Sequence, residues 1–215
     1  MGEALNTFKS TATRASAILQ FPIGVENSEI LRDDLIRSAL VLAVAGFDRY
    51  FTHVFVDNLS SYLKKNPAND ELIATLNEMG VDYKFVLGLL VKGSDRPFRT
   101  VRNRIQGNIF YNTTQQTDAI DKLFKKINIF NLTNRVCKKS KTRLLLDRIN
   151  KAVNRRHKIV HEGDLNSHHK ASAISKGTVE LYIRAMDEFV DLSDKVIHEE
   201  IKKPKSQTRT KAKAI

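Results

Sequence analysis

A single cysteine, no tryptophan, four prolines and nine glycines in 215 residues exclude a good deal. Cys137 alone cannot close an internal disulfide, and cysteine-pair zinc frameworks are equally closed to this chain. Scarce glycine and proline argue against sandwiches and barrels, which need frequent tight turns. No apolar run is longer than the nine residues Ala39 to Phe47. That is about half of what a membrane-spanning helix requires. The opening MGEALNTFKS also lacks the basic and then apolar segments of a secretion signal. Together these absences lead to the expectation of a soluble, cytoplasmic protein in a reducing compartment, with no membrane partner.

What is present is an ordinary globular mixture with one bias. Hydrophobic residues make up 41% and charged residues 28%, so the chain has the means for one well-packed domain. The net charge is +12. From Lys202 to the end there are six basic residues and no acid, which leaves the body basic as well. Polyanions, and nucleic acid above all, are the natural partners of such a surface; the alternative is charge that serves solubility alone.

The apolar pattern is helical. Leu40, Val44, Phe47, Phe51, Val54, Phe55, Leu59 and Tyr62 recur at three- and four-residue steps and predict a long core helix over 28–64, capped by Asn27 or Ser28. Leu145, Ile149, Ala152, Val153 and Val160 predict a second over 140–162, ended by Gly163. Val179, Tyr182, Ile183, Met186, Phe189, Val190, Val196 and Ile197 predict a third over about 173–201. Residues 2–20 carry few apolar anchors and read as a modest opening helix. Between the long helices, 66–138 reads as a helical insertion with short helices near 70–79, 97–111 and 118–127. Its segment 82–92 is of uncertain type, and 128–138 reads as irregular. The expected fold is all-α: an up-and-down bundle over 1–203 with that insertion, then a solvated basic tail over 204–215.

The densest polar cluster is Asn154-Arg155-Arg156-His157-Lys158-Ile159-Val160-His161-Glu162-Gly163-Asp164. At about 100° per residue, Asn154, His157 and His161 share a narrow sector. Arg156 sits about 140° from His161, nearer the apolar stripe. A cation so placed is expensive unless it meets a phosphate, a carboxylate or a second subunit. Three readings compete. Basic residues before a glycine complement the helix dipole and can be a plain solvated helix end. His157 and His161, four apart and followed by Glu162, Asp164, His168 and His169, could chelate zinc or nickel, although Arg155, Arg156 and Lys158 would repel a dication. Or the cluster cuts RNA. Metal-free cleavage needs a base for the 2′-hydroxyl, an acid for the leaving 5′-oxygen and a cation on the charged transition state. Histidine titrates near neutrality, and arginine supplies a fixed fork for phosphate.

Arg156-His157-Lys158-Ile159-Val160-His161 resembles the motif of the HEPN superfamily, in which an arginine with a polar neighbour precedes a histidine by a few residues. The wider RRHKIVHEGD resembles the RiboL-PSP-HEPN branch, and the likeness extends to LIRSALVLAVAGFDRYFTHVF (35–55) and TTQQTDAIDKLF (113–124). The resemblance implies a helical bundle that works as a homodimer, with two motifs forming one composite site that needs no metal or other cofactor. It implies that Arg156 stabilises the scissile phosphate and that His161 is general acid or base. His157 is then an orienting partner or second proton donor, and the products are a 2′,3′-cyclic phosphate and a 5′-hydroxyl. Around them, Asn154, Glu162 and Asp164 are expected to support the helix end, and Arg37 with Asp48 to form a buried pair behind it. RNA contacts are expected from Arg155 and Lys158, and from Arg99, Arg102 and Arg104, with Phe110 and Tyr111 adding aromatic faces. The implied role is a toxin or anti-phage effector held in check by a regulator or antitoxin. The rival is a non-catalytic HEPN-like module that binds RNA or a protein partner without cutting.

Overall fold

The stripe that begins at Leu40 forms part of a 35-residue helix, and its neighbours explain why that helix is apolar almost all round. The computed structural model describes residues 2–22, 29–93, 96–108 and 116–202. Within them lie nine helices: α1 (Glu3–Leu19), α2 (Glu29–Leu63), α3 (Asp70–Glu78), α4 (Tyr83–Val91), α5 (Pro97–Asn108), α6 (Thr117–Lys125), α7 (Leu132–Lys139), α8 (Leu145–Glu162) and α9 (Lys176–Lys202). The one extended pairing among the described residues is a bridge between Leu165 and Ala171. The expected caps at Asn27 and Ser28 and the basic tail lie outside the described residues, as do Phe110 and Tyr111.

Helices α1, α2, α8 and α9 form an up-and-down bundle. Phe8 meets Tyr50 and Thr11 meets Gly46, so α1 runs antiparallel to α2. Tyr50 donates a hydrogen bond to Asp194 at 3.0 Å and the Lys65 ammonium reaches the Ile201 carbonyl, so α9 runs parallel to α2. Lys9 holds both Asp187 and Asp191 at 2.7 Å, which ties α1 to α9. The middle of the core is aromatic: Phe47, Phe51, Phe55, Phe124 and Phe189 are fully buried in tilted or edge contacts. By length and composition α2 could cross a membrane, but 67% of its apolar window is buried inside the bundle, as befits a core helix packed on several sides.

Two expectations are corrected and one open segment is decided. Helix α1 is a full bundle member, not a modest opening segment, and buries Ala4, Leu5, Phe8, Ala12, Ala15 and Leu19. Its contribution comes partly from alanines, whose value lies in close approach and does not show in a count of large apolar residues. The segment 128–138 is not irregular: Leu132, Thr133 and Val136 bury one face of α7 between left-handed turns at Asn128 and Asn131 and the chain's return to α8. Residues 83–91 form helix α4, started by the Asp82 side chain accepting from the Phe85 amide at 2.8 Å. Helix α4 buries no residue, and Tyr83, Val86, Leu87, Leu90 and Val91 stand exposed. The 66–138 region as a whole shares the bundle's core through Leu72, Ile105, Ile120, Leu123, Phe124, Ile127 and Val136.

Gly46 marks a close approach of α1 and α2. A Cβ there would stand 2.7 Å from Thr11 Cγ2 and 3.0 Å from its Cβ, and the β-branched threonine has little freedom to turn away. Gly46→Val is therefore expected to lower stability by about 1–3 kcal/mol in urea denaturation, and a Thr11→Ala background to recover most of that loss.

Candidate functional site

The last turn of α8 ends on two successive left-handed residues, Gly163 (φ 65°) and Asp164 (φ 58°). Glycine adopts this region without strain, and aspartate tolerates it better than most residues. The Gly163 and Asp164 amides both donate to the Lys158 carbonyl, which closes the helix. The double turn swings the Asp164 side chain back under the helix, where the residue is 1% exposed.

There two arginines meet it. Arg37 Nε and one Arg155 terminal nitrogen each stand 2.8 Å from Asp164 Oδ2. Arg37 also donates to the Ser172 carbonyl at 2.8 Å and pairs with Asp34 at 3.0 Å. Arg155 donates to the carbonyls of Ser172 and Ala173 at 3.0 Å. The loop 164–172 closes as a tight hairpin: the Ser172 amide donates to the Asp164 carbonyl at 2.8 Å, and Asn166 Oδ1 accepts from the amides of His168 and Lys170. Asp164 thus ties α2, the end of α8 and the strand of chain entering α9 into one knot.

This replaces one expectation and adds to another. Arg37 does not pair with Asp48, because eleven residues of helix put the two about 16 Å apart along α2. One terminal nitrogen of Arg155, an expected RNA contact, is held by Asp164 and two backbone carbonyls, which gives that side chain a structural task.

The motif residues divide by face. His157 and His161 are exposed, with ring centroids 4.5 Å apart and planes at 42°. Asn154 and Lys158 are exposed beside them, and so is Glu162. Arg156 leaves α8 on the buried side, among Ile149, Ala152 and Val153. It is half-buried, and its Nε is shielded from solvent without a hydrogen-bond partner. One turn on, Val160 continues the same apolar sector but is 46% exposed, because the bundle no longer covers the end of α8. Among the described residues, no group of three or more His, Cys, Asp or Glu side chains is placed to hold a metal ion.

The three expected RNA-contact arginines of α5 are not brought to this end of the molecule. Arg102 pairs with Asp57 at 2.5 Å, with Glu3 at 3.9 Å beside it. Asp57 lies twenty residues beyond Arg37 on α2, about 30 Å away along the axis. Burial raises the Asp57 carboxyl above its ordinary value against the pull of Arg102, and burial together with Arg49 lowers the pKa of neighbouring His53. Arg104 donates to the Gly80 carbonyl at 3.2 Å and lies over the Phe85 ring, and Arg99 is exposed. What does reach α8 near the motif is the start of α6. Gln116, Thr117 and Asp118 face Asn150, Val153 and Asn154 across an open cleft. Its sequence signal was available: Asn150, Asn154, His157 and His161 follow steps of four, three and four on one stripe. A cavity of about 390 Å³ opens between α1, α2 and the start of α9, and no motif residue lines it.

Removing Asp164 strands two partly buried arginines. Asp164→Ala is expected to cost about 3–5 kcal/mol by urea denaturation, and replacing Arg37, Arg155 and Asp164 together by apolar residues of similar volume to restore most of it.

A family model described as RiboL-PSP-HEPN matches residues 4–199, from the first turn of α1 to near the end of α9. No match was found among curated proteins or among solved structures. HEPN domains are helical and are generally ribonucleases. The chain, with its helical bundle and its arginine–histidine segment at the end of α8, belongs to the RiboL-PSP-HEPN family.

Proposed function

We propose that this protein is a metal-independent endoribonuclease of single-stranded RNA, with Arg156, His157 and His161 from two copies forming one composite site. The observation that carries this reading is Arg156: a half-buried guanidinium whose shielded Nε has no partner, beside two exposed, paired imidazoles. Among the described residues no carboxylate pairs with Arg156, and a guanidinium fork left open in this way is suited to a phosphate.

The chemistry follows from the groups. One imidazole removes the 2′-hydroxyl proton, the 2′-oxygen attacks the adjacent phosphorus, and the bond to the 5′-oxygen breaks as a second imidazole delivers a proton to it. The products are a 2′,3′-cyclic phosphate and a 5′-hydroxyl. Arg156 stabilises the extra negative charge on the phosphoryl oxygens. His161 is the general acid or base, and His157 orients it or supplies the second proton.

Dimerisation is part of the proposal for a geometric reason. Attack and departure occur on opposite sides of the phosphorus, whereas His157 and His161 of one chain lie side by side on one helix. Arg156 also leaves that helix about 140° from His161. A second α8 packed across exposed Val160 would place an arginine and histidines on both sides of the phosphate. The cellular setting we assign is cytoplasmic, as a toxin or anti-phage effector restrained by a regulator.

The test compares wild type, His161→Ala and Arg156→Ala on mixed single-stranded RNA in EDTA. Wild type is expected to leave cyclic-phosphate ends. His161→Ala is expected to lose about 10²–10⁴ in rate and Arg156→Ala about 10²–10³. Folding of each variant is checked by its denaturation midpoint. Cleavage that stops in EDTA, or that continues in His161→Ala, overturns the proposal. Tight RNA retention by both wild type and His161→Ala without cleavage favours the binding module.

A further inference from the structure

The cleft between the start of α6 and the middle of α8 has a volume of about 240 Å³ and is lined by Gln116, Thr117, Asp118, Asn150, Val153 and Asn154. At roughly 30 Å³ per water it holds about eight waters, comparable in heavy atoms to a single planar base. Val153 is the apolar member of the lining and is 5% exposed. The remainder is rich in amides: Gln116, Asn150 and Asn154 are all exposed, so their donors and acceptors are open to a ligand. The buried Thr117 hydroxyl lies 3.4 Å from Asn150 Oδ1 and donates to it.

The ionisable lining residue is an acid. Asp118 is exposed at the rim and repels phosphate, while the basic and titratable side chains, Lys158, His157 and His161, lie farther along the same helix. The stripe Asn150, Asn154, His157, His161 spans about 16 Å of α8. It changes character midway, from neutral amides to imidazoles. A strand lying along it meets base-reading groups first and phosphate chemistry second.

Resting on the ribonuclease reading above, we propose that this cleft seats one nucleobase of the RNA substrate, next to the scissile phosphate. We further propose that it selects bases bearing an exocyclic amino group, namely adenine, cytosine and guanine, over uracil. The Asp118 carboxylate accepts from an exocyclic amino group, and the amides of Asn150, Asn154 and Gln116 pair with the remaining donors and acceptors of the base edge. Uracil turns a carbonyl oxygen toward the carboxylate where cytosine turns an amino group. The site therefore rejects it by leaving two acceptors face to face.

The experiment measures binding by fluorescence anisotropy, with short 2′-O-methyl oligoadenylate, oligocytidylate and oligouridylate as uncleavable probes. Wild type, Asp118→Asn and Asn150→Ala are compared, each checked for an unchanged denaturation midpoint. Wild type is expected to bind the adenine and cytosine probes at least about 10-fold more tightly than the uracil probe. Asp118→Asn is expected to bring the ratio close to unity, since an amide can donate to the uracil carbonyl. Asn150→Ala is expected to weaken the adenine and cytosine probes selectively. Equal affinity of wild type for all three probes, or a preference unchanged in both variants, overturns the inference. The two readings fail separately. His161-dependent cleavage without base preference keeps the ribonuclease and removes the base site. Base-selective binding that depends on Asp118, with no cleavage, keeps the base site and removes the ribonuclease.

Discussion

The contact between Asp164 and the two arginines, Arg37 and Arg155, is the constraint on which the functional end of this molecule depends. It is nearly dry on the acid's side, with Asp164 1% exposed, and one carboxylate oxygen receives both guanidinium groups. A buried acid facing two cations is a high-stakes arrangement: satisfied, it holds three segments in one geometry; broken, it leaves uncompensated charge. Those segments are the N-terminal part of α2, the last turns of α8 and the hairpin that leads into α9. The knot ties the end of α8, which carries His157, His161 and Arg156, to α2 and to the chain entering α9.

That anchoring matters because the motif-bearing part of α8 lies where the bundle's apolar support runs out. Ile149, Ala152 and Val153 are buried, while Val160, about two to three turns later on the same side, is 46% exposed. An isolated helix end of this kind frays. Here the left-handed pair Gly163 and Asp164 caps it, and the arginine–carboxylate knot holds the cap down. The fold can therefore present imidazoles on an open surface, accessible to a polymer, without losing their mutual placement. The same reasoning separates Arg155 from Arg156. Adjacent in sequence, they point about 100° apart, so a terminal nitrogen of Arg155 reaches Asp164 and two backbone carbonyls while Arg156 is turned away from that knot.

The motif's surroundings also divide the basic surface. Arg102 and Arg104 resemble substrate contacts in sequence, yet they fasten α5 to α2 and to the turn at Gly80, at the far end of the bundle from His161. Charge density on a linear sequence says nothing of which carboxylate or carbonyl a side chain will meet. Conversely Asn150, which has no charge to draw notice, stands opposite Thr117 on the path toward the histidines.

Much was legible from the amino-acid order. The helical period placed α2, α8 and α9 within a few residues of their ends, because burial of one face imposes a repeat on neighbouring residues. Gly163 announced the end of α8, and the spacing of Asn154, His157 and His161 put them on one face, because helix geometry is local. Helices α1 and α7 were underestimated, since alanines and very short faces carry little periodic signal although they pack closely. The partners of Arg37 lay beyond local reasoning altogether: Asp164 is 127 residues away in the chain. So the residue types, their helical faces and the family pattern were determined by sequence alone, as properties of near neighbours. Which arginine is scaffold and which is left unpaired at the site, and which loop stands beside the histidines, were decided by tertiary packing, because a charge finds its partner through the fold and not through the spacing that precedes it.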